Sequence, residues 1–330
     1  MRLIIYLTFK TKDTFVFVCF LIIFFIFYKY INCNFIMKPA FGYYGAKVRI
    51  ASQIINSLPP HNAWVEAFCG SAALTIAKKP APIEIINDLD DQIINLFDQL
   101  RSNSEKLISA VSLTPYARKE YFNAKKQDST IEPLEKARRF LISTMMTVNG
   151  AVGDTGAGFS FSQSYSRNGR EARVNRWYNL PERLENVVER LKSVRVENRD
   201  ARELLEMFVN KPATLFYMDP PYLMERSHQY KHDIDENFHI ELLEISNKVK
   251  CMMLISSYDN DLYNELLSPK NGWTKTIVDT NTADTSGKKY ARKEVLWKNK
   301  FFEKAFGNNR VPIRLSQKEK KQNKINPTRL

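Results

Sequence analysis

The chain has 330 residues, of which 44% are apolar and 26% are charged, a composition typical of a folded protein and not of a disordered or fibrous one. This length can hold one large α/β domain with a smaller insertion. The net charge is +13, but residues 307–330 carry +6 and residues 1–36 carry +3, which leaves +4 for residues 37–306. Because a basic tail is often only a solvated chain end, the charge supports nucleic-acid binding weakly.

Cysteine and histidine usage argues against a disulfide framework and against a metal site. The four cysteines show no CxxC spacing, which fits a reducing, cytoplasmic compartment. His228 and His232 are four residues apart, but no HExxH pattern or cysteine cluster accompanies them. We therefore predict a cytoplasmic protein without a metal.

Residues 1–36 form a hydrophobic N-terminal extension that differs from the rest of the chain. Phe15–Tyr28 is an unbroken apolar run of fourteen residues, shorter than the ~20 that a membrane-spanning helix needs. It can be a signal anchor, a hydrophobic extension, or translated sequence upstream of the true start. We favour the last interpretation because Met37 opens a sensible cytoplasmic domain, and we expect membrane attachment only if 1–36 is a real anchor.

The first part of the domain contains two turns that precede helices. Gly42 and Gly45 allow a close backbone approach, and Lys47 follows them near a helix start, where it can meet a carboxylate. Further on, the strand Ala63–Phe68 runs through a turn of small residues into a helix. Such a turn presents free N–H groups to a ligand, but it is not the GxGxxG pattern, so phosphate binding is not implied.

Two further strands end at acidic residues. Asp88 follows the apolar strand Ile83–Asn87, and Asp200 follows the strand Val194–Glu197. Each aspartate can be a helix N-cap. Asp88 also lies about twenty residues after the glycine turn, which suits the ribose hydroxyls of a nucleoside cofactor.

Between these strands, residues 101–193 interrupt the alternation of strands and helices. Helical patterns at 104–112 and 133–147 flank an aromatic, glycine-rich loop at 149–163. Four arginines then follow at three-residue spacing: Arg167, Arg170, Arg173 and Arg176. They end beside Trp177 and Tyr178, which predicts either a phosphate-facing stripe with stacking groups or a solvated arginine face.

The most informative stretch is Thr214–Tyr222. A short strand buried on both faces, Thr214–Met218, stops at Asp219, and Pro220 and Pro221 cannot extend a sheet ladder. The corner can be a proline-stiffened turn with Tyr222 packed beneath it. It can also carry chemistry, because a carboxylate and a carbonyl can accept both hydrogens of an exocyclic amine while a tyrosine ring stacks on the unstacked base.

This Asp-Pro-Pro-Tyr corner resembles motif IV of the adenine-N6 DNA methyltransferases, and other segments agree with that family. Tyr43 and Lys47 resemble motif X, with tyrosine where many relatives have tryptophan. Phe68, Gly70 and Ala72 resemble motif I, Asp88 resembles motif II, and Asp200 resembles motif III. The resemblance covers residues 38–298, and its motif order is that of the alpha, Dam-like D12 group.

The resemblance implies an α/β fold: a Rossmann-like, mostly parallel sheet with a C-terminal antiparallel hairpin and a smaller, mainly helical target-recognition insertion. We expect the catalytic domain at 37–110 and 194–300, the insertion at 111–193, and a basic tail at 301–330. The implied methyl donor is S-adenosylmethionine (SAM), and the implied partner of a monomeric enzyme is double-stranded DNA. The implied catalytic residues are Asp219, Pro220, Pro221 and Tyr222. The implied cofactor-binding residues are Tyr43, Lys47, Phe68, Gly70, Asp88 and Asp200, and the DNA-binding residues are the four arginines.

Two other functions stay open from the residues. One is methylation of another amine on the same fold, such as cytosine N4, RNA adenine or a glutamine side chain. The other is a catalytically idle DNA-binding module. Every version of the enzyme requires the turn after Phe68 and the Asp219 corner to open into one cavity.

Overall fold

The structure is a computed structural model that describes residues 37–43, 45–126, 130–148, 158–162, 166–223, 235–283 and 289–312. The hydrophobic extension at 1–36, most of the 149–163 loop, and His228 and His232 lie outside the described residues. The predictions made for them therefore stay predictions.

The centre of the fold is a seven-stranded mixed sheet, accompanied by a separate two-stranded hairpin. The strands, in chain order, are β1 (Ala63–Glu66), β2 (Ile83–Asn87), β3 (Ser166–Arg167), β4 (Arg170–Glu171), β5 (Val194–Glu197), β6 (Thr214–Met218), β7 (Met252–Ser257), β8 (Trp273–Ala283) and β9 (Lys289–Asn299). The large sheet has the order β5-β2-β1-β6-β7-β9-β8. Its first five strands are parallel, and β9 and β8 close it as an antiparallel hairpin. The predicted α/β fold, a mostly parallel sheet with a C-terminal antiparallel hairpin, is confirmed, and the target-recognition insertion stays a prediction.

The parallel strands form where the chain has short apolar runs that end at a polar residue. All five residues of β6 and all six of β7 are buried, as expected for central strands covered on both faces. Trp64 of β1 stacks on Tyr217 of β6 with ring centroids 5.9 Å apart. These aromatic residues contribute much of the buried apolar area at the centre of the sheet.

Helices cover both faces of the sheet. The described α-helices are α1 (Ala51–Asn56), α2 (Ala73–Ala77), α3 (Asp91–Ser102), α4 (Ser104–Ser112), α5 (Arg118–Ala124), α6 (Pro133–Met145), α7 (Ala172–Tyr178), α8 (Leu180–Leu191), α9 (Ala201–Glu206), α10 (Glu236–Lys248), α11 (Asp261–Leu266) and α12 (Lys300–Asn308). Short 3₁₀ helices lie at Lys47–Arg49 and Pro269–Asn271.

Several helices begin at a polar residue that directly follows a strand or a turn. The Asp90 side chain accepts a hydrogen bond from the Gln92 N–H at the start of α3, and Asp200 accepts one from Arg202 at the start of α9. Each such cap stabilises its helix by ~1 kcal/mol. The caps therefore fix where the chain turns back from the strand ends.

The helices of the predicted insertion pack against the sheet domain instead of standing apart from it. Residues of α4, α5, α6 and α8 share one hydrophobic cluster with Ile86 of β2 and with α3. The two-stranded hairpin β3–β4 turns at Asn168 and Gly169, which both have positive φ. This is the backbone that a tight two-residue Asn-Gly turn requires.

The segment predicted as a basic tail begins with structure. Helix α12 buries Phe302 and Ala305 against the sheet, and Asn299 caps it by accepting from the Phe302 N–H at 2.9 Å. The described part of the chain contains no helix of the length and apolar character needed to cross a membrane.

Candidate functional site

The ends of three neighbouring strands form the site. β1 lies between β2 and β6, and all three run in the same direction. The turn after Phe68 and the corner at Asp219 therefore emerge from adjacent strands at the same edge of the sheet, as the sequence analysis required. Asn87 ties this edge together, because its side-chain amide donates to the carbonyls of Ala67 and Arg199 at 2.9 and 3.0 Å.

Asp219 lies at the centre of a buried network of hydrogen bonds. Its Oδ2 accepts from the Lys47 ammonium at 2.7 Å. Its Oδ1 accepts from the Tyr222 and Ser256 hydroxyls, each at 2.9 Å. Three donors thus hold the carboxylate in one orientation at the end of β6.

A second carboxyl group, that of Glu294 on β9, completes the network. Glu294 Oε1 contacts the Tyr222 hydroxyl and lies 3.4 Å from the Lys47 ammonium. The Tyr222 hydroxyl has a single proton, so it can donate to only one of the two carboxyl groups at a time. The site therefore holds two carboxyl groups for one ammonium, an excess of acceptor capacity.

Burial and charge shift the titration of this network. Burial alone would lower the pKa of Lys47, but the Asp219 and Glu294 carboxylates outweigh it, so that the pKa is raised. Burial raises the pKa of Glu294, and Asp219 raises it further, while Lys47 acts in the opposite direction. Burial raises the pKa of Tyr222 well above its ordinary value, so the phenol stays protonated.

The turn after β1 brings its backbone close to an aromatic ring. Gly70 has φ +48°, and a Cβ on it would lie 2.8 Å from Cδ1 of Tyr43. Only glycine fits that position without displacing the ring. Tyr43 and Gly70, both predicted at the cofactor, are therefore in contact.

Asp88 holds the glycine turn in place. Its Oδ2 accepts from the Gly70 N–H at 2.8 Å, and its Oδ1 accepts from the Asp90 N–H at 3.0 Å. Burial raises the pKa of Asp88 to about 6. Asp90, and not Asp88, is the N-cap of α3, so Asp88 remains available as the predicted ribose ligand.

Phe68 and Asp200 lie near α10. The half-buried Phe68 ring packs edge-on against Phe238 with centroids 6.3 Å apart. Asp200 is the N-cap of α9, and its carboxylate also pairs with Arg202 at 2.6 Å. Arg202 holds the pKa of Asp200 below its ordinary value. The capping interpretation of Asp200 is thus observed, while its predicted contact with the cofactor stays a prediction.

Comparison with known proteins assigns the family. The family described as D12 class N6 adenine-specific DNA methyltransferase matches residues 43–282. The chain belongs to this family. The matched segment begins at Tyr43 and includes all the predicted catalytic residues at 219–222.

Solved structures resemble the chain only at low sequence identity and low TM-score. An rRNA methylase from Streptococcus thermophilus is 10% identical, with a TM-score of 0.34 over 77% of this chain and 97% of that one. A precorrin-6y C5,15-methyltransferase from Geobacter metallireducens is 8% identical, with a TM-score of 0.34 over 76% and 87%. No conclusion about substrate rests on these similarities. No curated protein matches the chain significantly.

The structure separates the four arginines predicted to contact DNA in this methyltransferase. Arg167 and Arg170 lie on the β3–β4 hairpin, whereas Arg173 and Arg176 lie on α7. Arg170 is exposed and stacks over the Tyr178 ring at 4.0 Å. Arg176 is half-buried and reaches toward Gly42. Arg170 and Arg176 therefore do not share one environment.

Sequence reasoning missed three residues of the methyltransferase site. Glu294 contacts Lys47 and Tyr222, Ser256 donates to Asp219, and the Tyr258 ring lies 4.5 Å from the Tyr222 ring. Glu294 gave one usable signal, an acidic residue inside the apolar strand pattern before Val295. Among the described residues, no group of His, Cys, Asp and Glu side chains could hold a metal ion.

Proposed function

We propose that this enzyme transfers a methyl group from SAM to the N6 amine of adenine in double-stranded DNA after the base has flipped out of the helix. The observation that carries the proposal is the position of Asp219. It follows β6, next to the glycine turn that follows β1, and Lys47 and Tyr222 both lie within hydrogen-bonding distance of it.

The residues at the strand ends suit the parts of this donor. Tyr43, Lys47, Phe68 and Gly70 would hold its methionine end. Gly70 makes room there for the Tyr43 ring. Asp88 has a carboxylate for the ribose hydroxyls, and Asp200 lies at the next strand end for the adenine ring. When bound, SAM supplies an electrophilic methyl group on a positively charged sulfur.

Lys47 occupies the Asp219 oxygen that the substrate amine needs. Its ammonium donates to Asp219 Oδ2 at 2.7 Å and can shift toward Glu294, which lies 3.4 Å away. Adenine N6–H then donates to Asp219 Oδ2 and to the Pro220 carbonyl, while Tyr222 stacks on the ring. Because a carboxylate and a carbonyl orient the nitrogen lone pair, positioning supplies most of the rate enhancement.

Proton balance gives Asp219 a second role. When the new N–C bond forms and the C–S bond breaks, the nitrogen becomes cationic and must lose one proton. The Asp219 carboxylate, already hydrogen-bonded to that N–H, accepts it. No cysteine nucleophile and no covalent enzyme intermediate are needed.

The test is to map modified bases in DNA from cells that express the protein or its Asp219→Ala variant. N6-methyladenine is expected only with the unmodified protein, while SAM affinity measured by calorimetry stays within about threefold in the variant. Asp259→Ala, which removes an exposed carboxylate after β7, is the matched control and should methylate normally. Methylation by the Asp219 variant would refute the assigned role, and N4-methylcytosine as the product would refute the substrate.

A further inference from the structure

Two arginines of the insertion are half-buried without a counter-charge. Among the described residues, no carboxylate pairs with Arg176 or Arg183. The Nε of Arg183 is buried without a hydrogen-bond partner, and its Nη2 lies 3.9 Å from the Met145 sulfur. A guanidinium has five N–H donors, so most of the donors of this pair remain unused.

The buried cations elsewhere in the described part of the chain are paired. Lys47 has two carboxylates, and Arg190 has Glu84. Burial, together with the charge of the nearby Arg176, lowers the pKa of Arg183 to about 10. Burial, together with the charge of Arg173, also lowers the pKa of Arg176. An unpaired buried charge is costly, so this cluster is built to receive an anion.

The cluster lies directly beside the glycine turn of the cofactor site. A Cβ on Gly42 would lie 2.7 Å from Nη2 of Arg176, and the next residue, Tyr43, places its ring against Gly70. One short segment therefore contacts the Arg176 guanidinium through one residue and the β1 turn through the next. Gly42 leaves the room that the guanidinium occupies.

We propose that Arg176, supported by Arg183, binds the carboxylate at the amino-acid end of the methyl donor. The proposal rests on SAM being the donor, as argued above. A guanidinium holds a planar carboxylate through two parallel N–H bonds. The site favours a small ligand over a DNA phosphate because Arg176 is recessed next to the cofactor turn, whereas Arg170 projects from the hairpin and is exposed. Arg176 thus leaves the predicted DNA-contacting set and joins the cofactor-binding set.

Two adenosine compounds test this contact, because only one of them has the amino-acid end that includes the carboxylate. S-adenosylhomocysteine has the amino-acid end, and 5′-methylthioadenosine lacks it. Calorimetry with the full chain should show that Arg176→Met weakens S-adenosylhomocysteine binding by about tenfold or more, while methylthioadenosine binding stays unchanged. Arg176→Lys should restore part of the loss. Arg195→Met, which replaces an exposed arginine of β5 that pairs with Glu197, is the matched control and should bind both compounds as the unmodified protein does.

Four other results would contradict the proposal or its premise. Unchanged S-adenosylhomocysteine binding by Arg176→Met would overturn the proposal. If that variant instead lowers DNA affinity and its salt dependence, the anion is a phosphate and the proposal is also wrong. Equal losses for both compounds would mean that the substitution damages the site as a whole, which equally contradicts a specific carboxylate contact. If the unmodified protein binds neither compound, the proposed donor itself fails, a result distinct from the others.

Discussion

Two buried ion clusters occupy opposite ends of the same sheet and have opposite charge balances. At the amino end, Glu84 of β2 accepts from Lys78 at 2.7 Å and from Arg190 at 2.5 Å, so one carboxylate serves two cations. At the carboxyl end, Asp219 and Glu294 share Lys47, so two carboxyl groups serve one cation. Cations therefore outnumber carboxylates in the amino-end cluster, whereas carboxyl groups outnumber cations in the carboxyl-end cluster.

The difference in charge balance distinguishes a structural ion cluster at Glu84 from the cluster of the candidate site at Asp219 and Glu294. Both oxygens of Glu84 are saturated, and Arg190 also donates to the Thr75 carbonyl at 2.7 Å, which joins α8 to α2. In the proposed mechanism, the carboxyl-end cluster releases Lys47 from Asp219 and accepts the substrate amine in its place. In open α/β sheets the carboxyl end is where ligands bind, and the charge balance supplies a physical reason here.

The largest effect is expected at the amino end. Glu84→Ala leaves the Lys78 and Arg190 charges buried without a partner, and breaking such a cluster lowers the free energy of unfolding by about 3–5 kcal/mol. Denaturant unfolding measures this loss. Methylation per folded molecule should be retained, because the cluster lies far from Asp219 along the strands.

Glu189→Ala is the matched control for that prediction. Glu189 pairs with Lys192 on the surface, where both side chains are mostly exposed. Its removal should change the free energy of unfolding by less than about 0.5 kcal/mol. Equal destabilisation by the two substitutions would show that the Glu84 cluster stabilises the fold no more than a surface ion pair does.

A smaller, pH-dependent effect is expected at Glu66, the last residue of β1. Its carboxyl accepts from the Thr75 N–H at 2.9 Å and is fully buried without a cation. Burial raises the pKa of Glu66 from 4.5 to about 7, and the Asp219 charge contributes to this rise. The folded state therefore binds its proton more tightly than the unfolded state does. Stability from this group is present at low pH and is lost as the pH rises from about 4.5 to about 7.

The variant Glu66→Gln cannot titrate and should not show that loss. Relative to the unmodified protein, its free energy of unfolding should increase between pH 4 and pH 8 by up to about 3 kcal/mol. Unfolding at the two pH values measures the difference. Glu189→Gln should show no such change, and a pH-independent difference for Glu66→Gln would contradict the prediction that the pKa of this carboxyl is raised in the folded state.

The sequence predicted the strand ends better than the contacts between them. The bounds of β2, β5 and β6 agree with the predicted strands. β2 and β6 are short, mainly apolar runs, and β5 alternates valine with charged residues. Local pattern therefore placed Asp88 and Asp219 at strand ends, and the family resemblance supplied their predicted roles. Both lie at the edge of the sheet where the prediction put them.

The missed features depend on residues that are distant in the chain. Glu294 meets Lys47 across 247 positions, and no local spacing predicts such a pair. Three-residue spacing suggested a single arginine stripe, but the Asn168–Gly169 turn puts Arg170 on a hairpin and leaves Arg176 on a helix. The Asn-Gly dipeptide was a readable signal of that turn.

The smallest expected effect concerns Glu294 in the carboxyl-end cluster. Glu294→Gln keeps the shape and the contact with Tyr222 but removes the negative charge 3.4 Å from Lys47. Lys47 is then held by Asp219 alone and is harder for the substrate amine to displace. Single-turnover methylation should slow by about 10- to 100-fold at unchanged donor affinity.

Glu303→Gln, on the surface of α12, should leave the rate unchanged. If Glu294→Gln instead methylates at the normal rate, the second carboxylate is only a packing feature, and Asp219 with Lys47 suffices for the chemistry.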